Sequence, residues 1–361
     1  MKTILGMLLA VGLVSVLSPR AYSEQLLWQP AHANFIVPKA LSLCGEQMPL
    51  EKRAVWEMLD QEFTISVHNH AKVILWLKRA GRYFPYLEKK LDEAGMPDDL
   101  KYLAVAESSL RPNIRSRKGA LGFWQFIPKT ARRYKLKQNR SMDERRSLES
   151  STEAALSYLK ELRETFDSWA LAMAAYNCGE DRLQKEIKEQ KVNDYYSLNL
   201  PRETERFIFR IAAIKLIMEN PEHYGYSLSP ESIYKPRPFD SVQIKIEKPV
   251  HMTEFAEAIQ TNFKVIKELN PKIKGYYLPV GDYMLKIPVG KKEVAAEALH
   301  QLARKNPARF AKSDSPHYRV QPGDTLSYIS QHTGIPVAEL KRLNDIKGSM
   351  ITVGQELQLT P

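Results

Sequence analysis

The sequence is poor in cysteine. Its 361 residues include only two, Cys44 and Cys178, so at most one disulfide within the chain is available. An oxidising compartment permits that bridge, and a pair of small buried thiols is the alternative. Long hydrophobic runs are scarce too. The one candidate, Ile4 to Leu17 behind Lys2, is too short to span a bilayer comfortably. Small residues at Ala21-Tyr22-Ser23 suit cleavage before Glu24, so residues 1–23 are expected to be a signal peptide, with an uncleaved anchor as the alternative. No cysteine follows this run, so no lipobox is seen. This argues against tight anchoring and leaves peripheral membrane or wall association. A basic groove interleaved with aromatics is also lacking. Lys and Arg outnumber Asp and Glu by 53 to 42, a formal net charge of +11, but the charges are scattered through helical patterns. The expected partner is therefore an acidic surface and not nucleic acid. No cofactor and no metal site is expected.

The most informative stretch runs from Leu100 to Gln125. Pro97, Asp98 and Asp99 are helix-start signals. Leu100, Leu103, Ala104 and Glu107 then fall at i, i+3, i+4 and i+7, which puts Glu107 where the apolar face expects a core residue. A carboxyl held against apolar neighbours loses hydration in its charged form, so its pKa should rise and suit it to proton donation near neutral pH. Gly119 and Gly122 follow, where backbone can turn or approach a ligand closely, and then Phe123-Trp124-Gln125.

Residues 24 to about 48 show little periodicity and read as an irregular lead-in. From Glu51 to Glu93 the pattern is helical, punctuated by Gly81 and Pro85. Trp56, Trp76, Tyr83 and Phe84 are better read as core than as lining of a cleft. A short helix opens at Pro128 and ends near Tyr134, and a charge-rich segment runs from Lys135 to Glu149. Helices follow from Thr152, from Trp169 to Ala175 and from Glu203 to Met218. After Tyr226 the composition changes at Pro230, Pro236 and Pro238. Val242 to Ile246 and Tyr283 to Ile287 read as strands around a helical stretch (Phe255, Ile259, Phe263, Ile266, Leu269) that leads to Asn270. Tyr318-Arg319-Val320, a helical stretch from Leu326 to Leu343, Asn344 and a strand from Glu356 to Leu359 repeat this layout, which predicts two copies of one βααβ unit.

Glu107-Ser108-Ser109, Ser116 and the run Gly119-Ala120-Leu121-Gly122-Phe123-Trp124-Gln125 resemble the signature of lytic murein transglycosylases with a goose-lysozyme-like (SLT) fold. The resemblance continues in order through Asp143 to Arg146, Ala174 to Gly179 and Leu200 to Thr204, and covers residues 50 to 226. Val320-Gln321-Pro322-Gly323-Asp324-Thr325-Leu326 resembles the LysM family, which binds glycans containing N-acetylglucosamine. The first copy lacks that turn and looks degenerate, and its expected role is structural. The expected fold class is therefore multidomain: an all-α lysozyme-like catalytic domain followed by small α+β (βααβ) LysM-like modules. The expected division is a 1–23 signal peptide, a 24–95 helical segment, a 96–226 SLT domain, a 240–290 degenerate LysM-like module, a 291–316 helical segment and linker, and a 317–361 LysM domain.

Hydrolysis of a glycosidic bond ordinarily uses two carboxylates. The Gly119 to Gln125 run beyond Glu107 holds no second carboxylate. Asp143, Glu144, Glu180 and Asp181 are candidates better read as surface charges. The resemblance implies another solution. One Glu, here Glu107, protonates the bond between N-acetylmuramic acid (MurNAc) and N-acetylglucosamine (GlcNAc). The muramic acid then closes on its own 6-hydroxyl to give a 1,6-anhydro end. By the same resemblance, Ser116 and Gln125 hydrogen-bond within the cleft, and Tyr176 and Asn177 support the acid and substrate. Phe207 stands where the family carries a tyrosine that contacts the sugar's acetamido group, and Cys178 stands where a small residue is common. Gly323, Asp324, Thr325 and Leu326 are the implied glycan-binding residues of the LysM copy. The resemblance thus implies peptidoglycan strands as partner, whose peptide-stem carboxylates suit a basic chain, and a periplasmic or cell-envelope location. It leaves protein partners unknown. The rival readings are a hydrolytic muramidase on the same fold, a non-catalytic wall-binding scaffold and a chitin-directed protein.

Overall fold

The computed structural model describes residues 35–247, 249–305, 317–321, 323–333 and 335–359. The expected signal peptide, the start of the lead-in and the linker 311–316 lie outside the described residues. Val37 to Pro361 is one compact unit.

The lead-in holds more order than its sequence suggests. Strands β1 (Ser42–Leu43) and β2 (Glu46–Gln47) pair antiparallel around Cys44-Gly45, both with positive φ (54° and 80°), the two-residue geometry that suits the strand twist. Two-residue strands carry no periodicity, hence their invisibility in the sequence. Helices α1 (Arg53–Val67) and α2 (His70–Glu93) then split the helical stretch at His68-Asn69, where the Asn69 side chain accepts from Lys72 N. Gly81 and Pro85, expected to punctuate, lie inside α2 instead. Pro85 removes one N–H and lies on an exposed position, while Val73, Trp76, Leu87 and Leu91 bury the opposite face and offset that loss. Gly81 serves packing: a Cβ there would lie 2.2 Å from Ile233 Cγ2.

Next come α3 (Leu100–Ser108), α4 (Pro128–Arg133), α5 (Leu148–Phe166), α6 (Trp169–Cys178), α7 (Glu180–Gln190) and α8 (Arg202–Glu219). Helix α5 starts four residues before the expected Thr152, because the Ser147 hydroxyl caps it by accepting from Ser150 N. Helix α7 has only two apolar residues, Leu183 and Ile187, among charged ones, with Leu183 its one buried residue, and went unread. Helix α8 packs against α1, α3 and α6, with Phe207, Ile208, Ile211, Ala212, Ala213, Ile214 and Ile217 buried. Each large aliphatic residue so buried contributes roughly 1.5–3 kcal/mol. The Glu46 carboxylate of β2 accepts from the N–H groups of Trp169 and Ala170, which neutralises the start of α6.

In the first βααβ module, β3 (Asp240–Ile246) pairs antiparallel with β6 (Gly281–Ile287), Ile244 opposite Tyr283. Between them lie β4 (Val250–His251), α9 (Met252–Ala258), α10 (Phe263–Leu269) and β5 (Tyr277–Leu278). Alternate residues Val242, Ile244 and Ile246 point into the core and Gln243 and Lys245 away. Helix α11 (Lys292–Lys305), expected between the modules, puts Ala295, Ala298 and Leu299 into that same core. The second module comprises β7 (His317–Arg319), α12 (Leu326–Thr333), α13 (Val337–Leu343) and β8 (Glu356–Gln358), with a smaller core around Ile329, Leu340 and Leu357. The two copies share one device. Asn270 donates to Lys286 O (2.7 Å) and accepts from Lys286 N (2.9 Å), and Asn344 does the same with Gln358 (2.9 and 2.6 Å). In each copy an asparagine ties the second helix to the last strand.

The charge-rich segment 135–149 docks the first module onto the helical domain. Asp143 N donates to Lys272 O and Lys274 N to Ser141 O, both at 2.8 Å, and the Met142 side chain enters the module's core.

Candidate active site

Helix α3 is held at both ends. Asp99 does not cap it with its side chain. Its carboxylate instead accepts from Cys44 N (2.7 Å) and Lys215 Nζ (2.8 Å), tying the helix start to the hairpin and to α8. At the other end Trp76 Nε1 donates to Ser109 Oγ (3.0 Å), Arg79 to Ser109 O (3.0 Å) and Arg111 Nε to Ser108 O (3.2 Å). Two guanidinium groups on carbonyls at a helix C-terminus also match its partial negative charge. Ser109 and Leu110 both have positive φ (52° and 57°), a cost these contacts hold in place.

Glu107 sits in the last turn so fixed. Leu100, Leu103 and Ala104 of its face are fully buried, as their spacing predicts. Glu107 itself is half-buried, and its carboxyl makes no hydrogen bond or ion pair among the described residues. Desolvation pushes its pKa up to about 8. Arg210 acts against that rise and Glu203 adds to it. The expected rise is present, and its main cause is the expected one.

The Gly119 to Gln125 loop is a tight bracket next to α3 in sequence. Gly122 has φ +88°, and a Cβ there would lie 1.8 Å from Arg145 O, so only glycine fits. Ser116 Oγ accepts from Ala120 N (3.0 Å), and Gln125 donates to Ile114 O (3.1 Å) and Gly122 O (2.9 Å). Both side chains therefore shape the loop backbone. Trp124 is fully buried with Nε1 donating to Thr152 Oγ1, and the Tyr176 hydroxyl donates to Trp124 O (2.7 Å). Tyr176 lies within electrostatic reach of Glu107, and burial above all, then that carboxyl, pushes its pKa well above the usual phenol value. Phe126 and Tyr158 pack against the Tyr176 ring, and Tyr134 against Tyr158. Asn177 accepts from Thr204 Oγ1 (3.0 Å), which joins α6 to α8. Phe207, on α8 between Glu203 and Arg210, is only 1% exposed.

Of the other carboxylates weighed, Asp143 forms a two-point pair with Arg145, and Glu180 is held by Arg133 and Tyr158. Neither perturbs Glu107 as Glu203 does. Sequence reasoning did not single out Glu203 and Arg210. Glu203 stands in the Leu200 to Thr204 run already noted, and Arg210 is three residues past Phe207, the one available signal. Arg210 bridges Glu203 and the buried Glu62 of α1. Cys44 and Cys178 are both free thiols, the first buried. No group of three or more His, Cys, Asp or Glu among the described residues is placed to hold a metal ion, and no described helix is long and apolar enough to cross a membrane.

The four LysM turn residues build the turn and its seat on the first module. A Cβ on Gly323 (φ +85°) would lie 2.3 Å from His251 Nε2. The Asp324 carboxylate accepts from Tyr318 OH (2.7 Å), Tyr277 OH (3.2 Å) and Gln321 N (2.7 Å). Thr325 Oγ1 accepts from Tyr328 N (3.1 Å), and Leu326 is in the core. The Tyr277 and Tyr328 rings stack with centroids 4.0 Å apart across the two modules.

Three family models match separate stretches of the chain. The transglycosylase SLT domain family matches residues 85–199, the LysM-like domain of lytic transglycosylase MltD matches 240–304, and the LysM domain matches 318–360. The match at 240–304 takes in nearly all of α11. The membrane-bound lytic murein transglycosylase D of Escherichia coli K12 is 32% identical over 292 residues, 78% of this chain and 64% of the relative. A putative tributyltin chloride resistance protein of an Alteromonas species is 33% identical over 121 residues, 33% of this chain and 58% of the relative. The chain thus spans less than two thirds of the curated relatives it matches. Among solved structures, the 70 kDa soluble lytic transglycosylase of Escherichia coli is 17% identical with a TM-score of 0.33, covering 49% of this chain and 33% of that one. Together the family matches show a transglycosylase SLT domain followed by a LysM-like domain and a LysM domain, in a chain similar to membrane-bound lytic murein transglycosylase D.

Proposed function

We propose that this protein is a peptidoglycan lytic transglycosylase. It cleaves the MurNAc-β-1,4-GlcNAc bond without water and leaves a 1,6-anhydro-MurNAc end, while its LysM domain holds the glycan. The observation that carries this reading is Glu107, a single half-buried carboxyl with a pKa near 8 and no protein hydrogen bond to occupy it. Protonated at neutral pH, Glu107 donates its proton to the glycosidic oxygen as the bond to the sugar's C1 breaks. The resulting carboxylate takes the proton of the MurNAc 6-hydroxyl as that oxygen closes on C1. One group serves as acid and then base because the nucleophile belongs to the substrate. No second carboxylate is needed, which fits the engagement of Asp143 and Glu180 elsewhere.

In this reading Ser116 and Gln125 set the loop that faces the sugar. Tyr176 and Asn177 brace that loop and α8, and Phe207 lines the apolar surroundings of the acid. Gly323, Asp324, Thr325 and Leu326 act as the LysM glycan loop through the backbone shape they impose. The division into SLT domain, degenerate module and LysM domain, and export to the periplasm or envelope with peripheral wall or membrane association, belong to the same proposal. Mass spectrometry of soluble products from purified peptidoglycan tests it, with the Glu107→Gln variant alongside. Anhydro-muropeptides from the parent alone are expected. Ordinary reducing ends would show a muramidase. Binding without products from either protein would show a scaffold.

A further inference from the structure

A second site stands where the helical domain meets the first βααβ module. The cleft there has a volume of about 1150 Å³ and is bordered by Pro112 and Asn113 on the helical side and by Lys267, Lys272 and Tyr283 on the module. Some of its charged groups are already paired, Lys286 with Glu149 and Arg237 with Glu268 at 2.8 Å, and the carboxylates of Glu144, Glu153 and Asp282 also line it. Arg146, Lys267 and Lys272 are not paired. None forms an ion pair among the described residues, and Arg146 Nε is buried without any hydrogen-bond acceptor. A buried charged donor without an acceptor is costly, since it has lost water and gained nothing. Lys267 donates to two backbone carbonyls, Ile273 O and Gly275 O, but these leave its charge unneutralised. Desolvation first, and then the Arg146 charge, lower the Lys267 pKa to about 8, so the two cations stand within electrostatic reach of each other.

We propose that this cleft binds a carboxylate-bearing peptide of the cell wall, with Arg146 and Lys267 receiving its anionic groups. A planar guanidinium matches a carboxylate, and an anion between two cations removes their mutual repulsion. The volume is that of a site for an oligopeptide and exceeds what one small ion fills. Tyr83, Phe239 and Tyr283 in the lining offer apolar surface to the peptide's aliphatic parts. Pro112 and Asn113 belong to the segment that joins Glu107 to Ser116, so the stretch of backbone that follows Glu107 in sequence borders this cleft. The choice of a wall peptide as ligand rests on the proposed function; the two-cation site itself does not.

The test uses the full chain and a probe without sugar, the stem tripeptide L-alanyl-γ-D-glutamyl-diaminopimelate, titrated by calorimetry. Saturable binding that weakens with added salt is expected, falling about tenfold in the Arg146→Gln, Lys267→Met double variant. Arg146→Lys keeps the charge but loses the planar fork, and its affinity should fall between those of the parent and the double variant. Thermal melts of each variant separate loss of binding from loss of fold. Absence of saturable binding to the parent, or equal affinity in a folded double variant, overturns the proposal. The probe has no glycosidic bond, so the result is independent of whether the chain cleaves glycan.

Discussion

The hydroxyl of Tyr176 donates to the carbonyl of Trp124 at 2.7 Å, across 52 residues of sequence. The contact fastens the glycine-aromatic loop to α6, whose Tyr176 lies within electrostatic reach of Glu107. Tyr176→Phe removes the hydrogen bond but keeps the ring packing on Phe126 and Tyr158. The lost bond is worth about 1 kcal/mol. The melting temperature should drop by about 2–4 °C, and turnover on a soluble glycan should fall roughly fivefold. An unchanged rate with the same drop in melting temperature would confine Tyr176 to a structural role.

Glu107 also predicts the pH profile. With its pKa near 8 the acid form dominates at neutral pH, and the rate should decline as pH rises through 8. Stability carries the same sign. An unfolded Glu titrates near 4.3, so between there and 8 the folded protein holds a proton that the unfolded chain has lost. The contribution of Glu107 to stability is therefore complete below that range and is lost as pH climbs to 8 and above. Glu107→Gln, which has no charge to bury, should raise the melting temperature relative to the parent at pH 9 and much less at pH 5. Equal differences at both pH values would mean that the carboxyl is not desolvated.

Phe207 lies on α8 between the two charged residues that act on Glu107, and its ring is buried. Phe207→Tyr adds a hydroxyl to this buried ring, on the helix that carries Glu203 and Arg210, and turnover reads whether it finds a hydrogen-bond partner at the site. One such hydrogen bond is worth about 1 kcal/mol, so turnover should rise roughly fivefold. A rate that is unchanged or lower would show that the buried ring cannot present its hydroxyl to the site.

Removal of residues 317–361 should weaken binding to whole sacculi while sparing cleavage of a short soluble glycan, because the tethered module raises the local concentration of the helical domain on the polymer. Cosedimentation and product release on the two substrates give the comparison. Equal loss on both would show that the module supports the fold of the remainder, through contacts such as Tyr277 against Tyr328, more than it supports binding.

Much of the fold was legible in the sequence because long helices repeat their apolar residues every three to four positions and half-buried strands every two. The buried faces of α5, α8, β3 and β6 follow those periods residue by residue. The elements that went unread include the two-residue strands beside Cys44-Gly45, too short to show a period, and helix α7, whose two apolar residues stand among charges. Pro85 misled because helix-breaking is a local cost, which packing of Trp76, Leu87 and Leu91 overrides.

By itself the sequence determined the apolar register in which Glu107 sits, the upward direction of its pKa and the two βααβ repeats, since each depends on neighbours three, four or a few residues away. Tertiary structure alone decided the rest. Glu203 and Arg210 come to bear on Glu107 only because α8 packs against α3, and Arg146 meets Lys267 only because the 135–149 segment docks the first module. Charge acts through space over several ångströms, whereas periodicity speaks only along the chain. Which cations end unpaired, and what they can hold, is therefore a property of the packed domains.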